Sequence, residues 1–431
     1  MNRFLSDYAM PLVLVLLCAL FSVLTIKEQT PTGETAARQL AKRVESGQRI
    51  LIAAADRDAE FFHSLKSQLD TQEIAYDAVI GEPREAALKL KERSDSQQAL
   101  DVIAVAGAAS DWLVFADLEI GYPGIGPAEV IIPESYRWPV FLNRANLLNI
   151  GSQISIIAIM SIGMTMVIIT AGIDLSVGSL IALSAVICTL FIQNIAGGES
   201  ASTAGMLVGV CLAIVGCGLV GAFSGSMVTV FRVPPFIVTL AMMLVASGSA
   251  SLLSQGKSVY KIPPSFTWLG RETTFLGLPN SVTLMLILYV IAHIVMTRTV
   301  LGRYLYAVGG NSEAARLSGV PVKRVILFAY VMSGLLAGVG GVVMASQLKS
   351  GSPTYGTMYE LYVIAAVVVG GTSLSGGEGK ILGTLTGAFI IAVIQNGMNL
   401  WKIEPFTQKV VLGMVILLAV LLDTLKHRRA S

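Results

Sequence analysis

The chain has 431 residues, of which 54% are apolar and only 13% are charged. Soluble domains carry about a quarter charged residues, so this composition excludes a disordered chain and an ordinary soluble one. The 42 glycines fit apolar helices that pack through small residues. We therefore predict a polytopic membrane protein surrounded by lipid, and the net charge of +2 gives no reason to expect a nucleic-acid partner.

Charge divides the chain into unlike parts. Residues 27–146 hold 13 basic and 19 acidic residues, whereas the rest of the chain is net basic. We predict an α/β insert at 27–137 between a first transmembrane helix in 1–26 and a transmembrane domain at 138–425, followed by a basic cytoplasmic tail at 426–431. The four cysteines lie in apolar runs and the three histidines are scattered, so neither a disulfide framework nor a metal site is predicted.

Uncharged runs predict an all-α polytopic fold with about ten transmembrane helices. Gly221 with Gly225, and Gly334 with Gly338, stand four residues apart, a spacing that favours close packing between helices. The first run could be a signal peptide, but no convincing cleavage site follows it and we expect a retained span. The eighth run is short enough to be broken or re-entrant. The ten runs lie at 8–26, 145–173, 175–198, 200–231, 233–256, 281–297, 325–347, 361–371, 381–400 and 410–422.

Basic residues predict how the chain is oriented in the membrane. Cytoplasmic loops are enriched in Lys and Arg, and the strongest basic clusters occupy 298–324 and the carboxyl-terminal tail. Placing both clusters in the cytoplasm puts the amino and carboxyl termini there as well. The acidic insert then lies outside, in the periplasm or the extracellular space, and the chain lies in the plasma (inner) membrane.

The insert alternates predicted strands and helices. A strand from Arg49 is followed by a helix at 58–72, a strand at 74–80, a helix at 83–93 and a strand at 102–106. This order predicts a βαβαβ unit with a parallel sheet. Such a unit resembles half of one lobe of the sugar-binding proteins, although a small domain without a ligand of its own explains the pattern equally well.

The segment at 170–179 contains Asp174 between two long apolar runs. An ionisable group in that position is costly unless it faces water or a partner, which makes it a candidate functional site. Nearby glycines and serines would allow a break in the helix beside a cavity. An alternative is that Asp174 caps the following helix. The predicted translocation pathway comprises Asp174, Ser176, Gly172, Gly178 and Ser179.

A second candidate is the basic loop at 302–320. Asn311 or Ser312 can cap a short helix at 313–317, and Gly319 would end it. Glu313 would stand in its first turn, where the helix dipole favours an anion. A capped helix between two spans is a natural docking element for a cytosolic partner. An ordinary surface helix is the alternative.

These segments carry a resemblance to a known family. The loop at 311–319 resembles the coupling loop of ABC importer permeases, and the segments at 172–179, 233–240 and 370–377 are similar to those of the ribose/xylose/galactose-type branch. The resemblance extends over about two-thirds of the chain. It implies a non-catalytic permease subunit that moves a monosaccharide or a related small polar solute by alternating access.

The resemblance also implies partners. An ABC ATPase subunit would bind the inner loop at Asn311, Glu313, Ala314, Ala315, Arg316 and Gly319, and this partner, not the chain itself, would hold ATP and Mg. A second permease copy would complete a homodimer, and a periplasmic sugar-binding protein would deliver cargo. The family has only a short link where this chain carries its insert, so we hypothesise that the insert docks or partly replaces the binding protein.

Enzymatic interpretations find little support in the residues. No Walker A motif is present, and the glycines at 370, 371, 376 and 377 are interpreted as a turn that lets the eighth and ninth helices meet, not as an ATPase signature. An intramembrane protease would need a second facing aspartate or a serine with a base in reach. A sensor would need a larger cytoplasmic output. The main alternative is an ion-coupled secondary transporter that uses Asp174.

Overall fold

The computed structural model describes residues 2–428, so the end of the predicted basic tail, 429–431, lies outside the described residues. The chain forms two compact units. Thr25–Val140 is one unit, and the remaining described residues form the other.

The first helix and the elements of the insert follow one another in a regular order. They are α1 (Asn2–Leu24), β1 (Ile26–Gln29), α2 (Gly33–Ala41), β2 (Ile50–Ala55), α3 (Ala59–Thr71), β3 (Tyr76–Gly81), α4 (Pro83–Asp95), β4 (Val102–Val105), α5 (Leu118–Gly121), β5 (Glu129–Ile131) and β6 (Tyr136–Pro139).

The core of the insert is a four-stranded parallel sheet in the order β3-β2-β4-β5. Phe61 and Leu65 of α3 are buried against one face of the sheet, and Leu90 of α4 is buried with the residues of the other face. Strand β2 is covered on both sides, which explains its uninterrupted apolar sequence. A separate antiparallel pair, β1 with β6, joins the two ends of the insert.

One ion pair ties the starts of two neighbouring strands together in the insert. The guanidinium of Arg49, just before β2, donates to both carboxylate oxygens of Asp101, just before β4, at 3.0 and 2.8 Å. These hydrogen bonds lower the pKa of Asp101 to about 2. The pair therefore stays ionised at neutral pH, although its exposure keeps its contribution to stability small.

The second unit is a bundle of helices. After α1 it continues with α6 (Arg144–Ile169), α7 (Val177–Asn194), α8 (Thr203–Thr229), α9 (Pro235–Leu253), α10 (Trp268–Arg271), the hairpin β7 (Thr273–Phe275) and β8 (Leu278–Pro279), α11 (Asn280–Arg298), α12 (Val300–Gly310), α13 (Ser312–Leu317), α14 (Val322–Leu348), α15 (Tyr359–Val369), α16 (Ile381–Leu400) and α17 (Pro405–Arg428).

Seven described helices are long and apolar enough to cross a membrane: α6, α7, α8, α9, α11, α14 and α16. Three shorter apolar helical stretches, in α1, α15 and α17, coincide with the first, eighth and tenth predicted runs. Helix α15 has only 11 residues, and the chain before it, 349–358, is not helical. Helix α6 is at the centre of the bundle, with its most apolar window 89% buried.

Helices α8 and α14 approach each other through glycines. A β-carbon on Gly221 would overlap the backbone carbonyl oxygen of Tyr330, and one on Gly334 would overlap that of Cys217. Gly221 and Gly334, one from each glycine pair singled out in the sequence, therefore face each other. Without side chains in between, the two backbones gain close van der Waals contact where lipid supplies no hydrophobic drive for association.

Substitution of Gly221 tests this packing. We expect Gly221→Ala to lower the free energy of unfolding by about 1–3 kcal/mol, because its methyl group has no room beside Tyr330. Gly216→Ala on the same helix is the control, since its β-carbon would lie 3.8 Å from Ile187 in ordinary contact. Thermal unfolding in detergent measures both, and equal stability of the two variants would contradict the prediction.

Candidate functional site

The chain breaks between α6 and α7 and turns back into the bundle. Ala171 takes a left-handed conformation at φ +59°, and the N–H of Gly172 donates to the carbonyl of Val167 in α6 at 3.0 Å. Gly172 passes so close to Tyr330 that a β-carbon would lie 2.7 Å from the phenol oxygen. The carbonyl of Ile173 accepts hydrogen bonds from Thr239 at 3.2 Å and from Tyr330 at 3.5 Å. The break is therefore held by side chains from two other helices.

Asp174 is buried in this break, with 1% of its surface exposed. Its Oδ1 accepts from the backbone N–H of Ser176 at 3.0 Å and from the Ser176 hydroxyl at 2.6 Å. Its Oδ2 accepts from the hydroxyl of Ser333 in α14 at 2.7 Å. The carboxylate therefore bonds the residue just before α7 and also joins this break to α14.

The first turn of α7 faces a second acidic residue. Ser179 donates to the carbonyl of Ser176 at 2.8 Å, which closes the turn locally. A β-carbon on Gly178 would overlap a carboxylate oxygen of Glu360 and would lie 2.7 Å from the carbonyl oxygen of Gly356. The glycine thus lets the non-helical segment before α15 approach α7. Glu360 is half-buried there.

Helix α13 is short, capped and exposed. The side chain of Asn311 accepts from the N–H of Ala314 at 2.9 Å, and Gly319 ends the helix with a left-handed φ of +84°. Glu313 and Arg316 form an ion pair at 2.7 Å, and their side chains are 72% and 66% exposed. Only Ala315 of this helix is buried. The helix therefore offers both charges and the 82% exposed Leu317 to solvent or a partner.

The predicted glycine-rich turn brings α15 and α16 together. A β-carbon on Gly370 would lie 2.5 Å from the carbonyl oxygen of Gly383. Gly371, Gly376 and Gly377 have φ values of +87°, +85° and +74°, which side chains other than glycine rarely adopt. These glycines therefore allow the backbone path between α15 and α16.

A cavity of about 280 Å³ opens between α6, α14, α15 and α16. Most of its lining is apolar and includes isoleucines in 150–157. Its polar groups are the amides of Gln153, Gln347 and Gln395 and the phenol of Tyr359. Apolar walls with a few polar groups are typical of sites for small molecules.

The cavity and α13 belong to opposite ends of α14. Helix α14 begins shortly after α13 and its 27 residues span about 40 Å. The residues of α14 that line the cavity are Met344, Gln347 and Leu348, at its far end. A partner bound to α13 would therefore be separated from the cavity by the length of the bundle.

The structure brings some predicted residues together and leaves others apart. The predicted pathway residues lie in the break and in the first turn of α7, but none of them lines the cavity. They are Gly172, Asp174, Ser176, Gly178 and Ser179. Sequence reasoning missed Gln395 and Glu360. The glutamine stands in an ordinary apolar run, and Glu360 directly precedes the short eighth run, a position that could have marked it.

These features agree with comparisons to known proteins. The model of the family described as branched-chain amino acid transport system / permease component matches residues 146–420. The match covers more than half of the chain and includes α7, the break before it, α13 and the glycine-rich turn. The chain belongs to this family of membrane permeases.

The matches to curated relatives extend over most of the length of each relative. The chain is 44% identical to the ribose import permease protein RbsC of Escherichia coli (strain K12) over 297 residues, 67% of this chain and 88% of that protein. It is 41% identical to RbsC of Bacillus subtilis (strain 168), over 70% of this chain and 92% of that protein. The L-arabinose transport system permease protein AraH of E. coli (strain K12) is 38% identical over 67% and 86%. No solved structure matches the chain.

Removal of one hydroxyl tests the link between the break and α14. Ser333→Ala leaves the Asp174 carboxylate without its donor from α14, and we expect a loss of about 1–3 kcal/mol in stability. Ser161→Ala is the control, because this buried hydroxyl bonds only the Ile157 carbonyl within its own helix. Thermal unfolding of both purified variants measures the effect. Equal losses of stability would show that the bond between Ser333 and Asp174 contributes nothing beyond an ordinary buried hydroxyl.

Proposed function

We propose that the chain is the permease subunit of an ATP-driven importer that carries a monosaccharide across the inner membrane. The observation that carries the proposal is the pairing, in one bundle, of an exposed capped helix at one end with a mostly apolar cavity that contains three glutamines at the other. Membership of the permease family and the ribose and arabinose permeases among the relatives support it. ATP and Mg belong to the partner ATPase.

Helix α13 is the docking element for that ATPase. Its ion pair and Leu317 are exposed, and Asn311 and Gly319 fix its two ends. A preformed helix presents these groups without an ordering cost when the partner binds. Because loops that face the cytoplasm are basic, the helix and both termini lie in the cytoplasm in this proposal.

The cavity is the cargo site. Sugars expose many hydroxyl groups, which the amides of Gln153 and Gln395 can both donate to and accept from. The side chain of Gln395 has no hydrogen-bond partner among the described residues, whereas Gln347 already donates to Ser152 at 2.9 Å. A volume of about 280 Å³ suits a single small solute.

We infer the number of spans, the dimer and the role of the insert from the family resemblance. Ten helices cross the membrane, α1, α15 and α17 included, and two permease copies form the pathway. The insert lies on the outer side of the membrane and docks the sugar-binding protein that delivers cargo. Its parallel sheet has a hydrophobic core on each face, which allows the insert to form a folded domain that can dock a partner.

A charge reversal tests the docking helix. We expect Glu313→Arg to reduce the amount of ATPase subunit that co-purifies with the permease by about tenfold or more, because it destroys the ion pair and presents like charges. Glu272→Arg is the matched control, since this exposed glutamate precedes α11 and lies outside α13. Recovery of equal ATPase with both variants would contradict the assignment, and recovery of none with the wild type would refute the importer.

Loss of one amide tests the cargo site. We expect Gln395→Leu to reduce uptake of radiolabelled ribose or arabinose several-fold, because the unpaired amide is replaced by an apolar group of similar size. Gln193→Leu, at the end of α7 and outside the cavity, should transport normally. Uptake is compared at equal amounts of assembled transporter. Equal uptake by both variants would show that the cavity is not the cargo site.

A further inference from the structure

Three backbone segments meet without intervening side chains beside the base of α13. The carbonyl of Ile169, the last residue of α6, accepts from the N–H of Gly377 at 2.9 Å. Gly309, near the end of α12, lies against both: a β-carbon there would overlap the Ile169 oxygen and would lie 2.5 Å from the Gly377 nitrogen. We call the contact of Ile169, Gly309 and Gly377 the glycine junction.

The glycine junction adjoins both elements that the proposed transport cycle has to connect. On one side, only Gly310 separates Gly309 from Asn311, the cap of α13. On the other side, Ile169 leads directly into the break that contains Asp174. A second contact supports the first, since the hydroxyl of Tyr306 in α12 donates to the carbonyl of Gly379 at 2.8 Å.

Direct backbone contact makes this connection stiff. Long side chains can change rotamer and absorb a small displacement, but backbone atoms in close contact move together. From the break, Asp174 passes the displacement to α14 through Ser333. The same α14 lines the cavity at its far end. A contiguous set of packed and hydrogen-bonded groups thus runs from α13 to the cavity.

We propose that Gly309 is a positioning residue that couples movement of α13 to the break between α6 and α7. This inference rests on the proposed function, because it assumes that an ATPase moves α13. It goes beyond that function by assigning the transmission to one residue whose lack of a side chain is required. Gly309→Ala would push α12 away from the Ile169 carbonyl while leaving the sequence of α13 unchanged.

The neighbouring glycine provides a matched control. A β-carbon on Gly310 would meet nothing within 4 Å, so Gly310→Ala makes the same chemical change in the same helix without an overlap. Both variants are prepared with the partner ATPase and reconstituted into vesicles. The readouts are the ATPase subunit recovered, the rate of ATP hydrolysis and the uptake of radiolabelled ribose or arabinose per ATP hydrolysed.

We expect Gly309→Ala to keep its ATPase and to hydrolyse ATP, while uptake per ATP hydrolysed falls about tenfold. Gly310→Ala should match the wild type. Tyr306→Phe removes only the hydroxyl bond to Gly379, and we expect it to lower uptake per ATP hydrolysed by a smaller factor. This variant replaces Gly309→Ala as the test if Gly309→Ala does not fold.

The outcomes separate this inference from the proposed function. An unchanged ratio of uptake to hydrolysis in Gly309→Ala, or an equal loss in Gly310→Ala, overturns the coupling role of Gly309 alone. If Gly309→Ala does not fold, an unchanged ratio in Tyr306→Phe overturns it. Absence of an ATPase from the wild-type complex overturns the proposed function and this inference together.

Discussion

A helix that ends inside an apolar bundle must find partners for its free backbone groups, and this constraint shapes the centre of the molecule. The break between α6 and α7 meets it with groups from four places. The carbonyl of Ile169 is bonded by Gly377, that of Ile173 by Thr239 and Tyr330, and the N–H of Ser176 by Asp174. In hydrocarbon, where water supplies no substitute, each such group left unpaired would cost several kcal/mol.

Small residues make these bonds geometrically accessible. Gly172 lets Tyr330 reach over the break, and Gly178 admits the segment before α15. The same property sets the spacing of α8 and α14 at Gly221 and Gly334. Glycine is expensive in an isolated helix, by about 1 kcal/mol relative to alanine. In this bundle that cost is offset by backbone contacts and hydrogen bonds that a methyl group would prevent.

The sequence predicts local features of the site better than distant ones. Charge and run length locate the insert and the apolar helices, and the two-residue spacing of Asp174 and Ser176 already allows the observed local hydrogen bond. The bond from Asp174 to Ser333 joins residues 159 positions apart, and nothing in either apolar run marks it.

The burial of whole helices is equally hidden in the sequence. Helices α6 and α9 are equally apolar, yet the most apolar window of α6 is 89% buried and that of α9 only 22%. A helix that is apolar all round carries no periodicity to show which face meets protein and which meets lipid. For this reason the cavity can be recognised only once the packing of four helices is known. Gln395, which lines it, stands in an ordinary apolar run of the sequence.

Helix α14 connects the parts of the proposed mechanism. It begins after α13, packs on α8 through glycine, bonds Asp174 through Ser333 and ends with Gln347 at the cavity. A ligand or nucleotide shifts a conformational equilibrium only when it binds one state better than the other. Events at the ATPase can therefore change the affinity of the cavity only if an element that links α13 to the cavity has two positions. Among the described helices, α14 is placed to be that element, because its close contacts leave little room for the two ends to move independently.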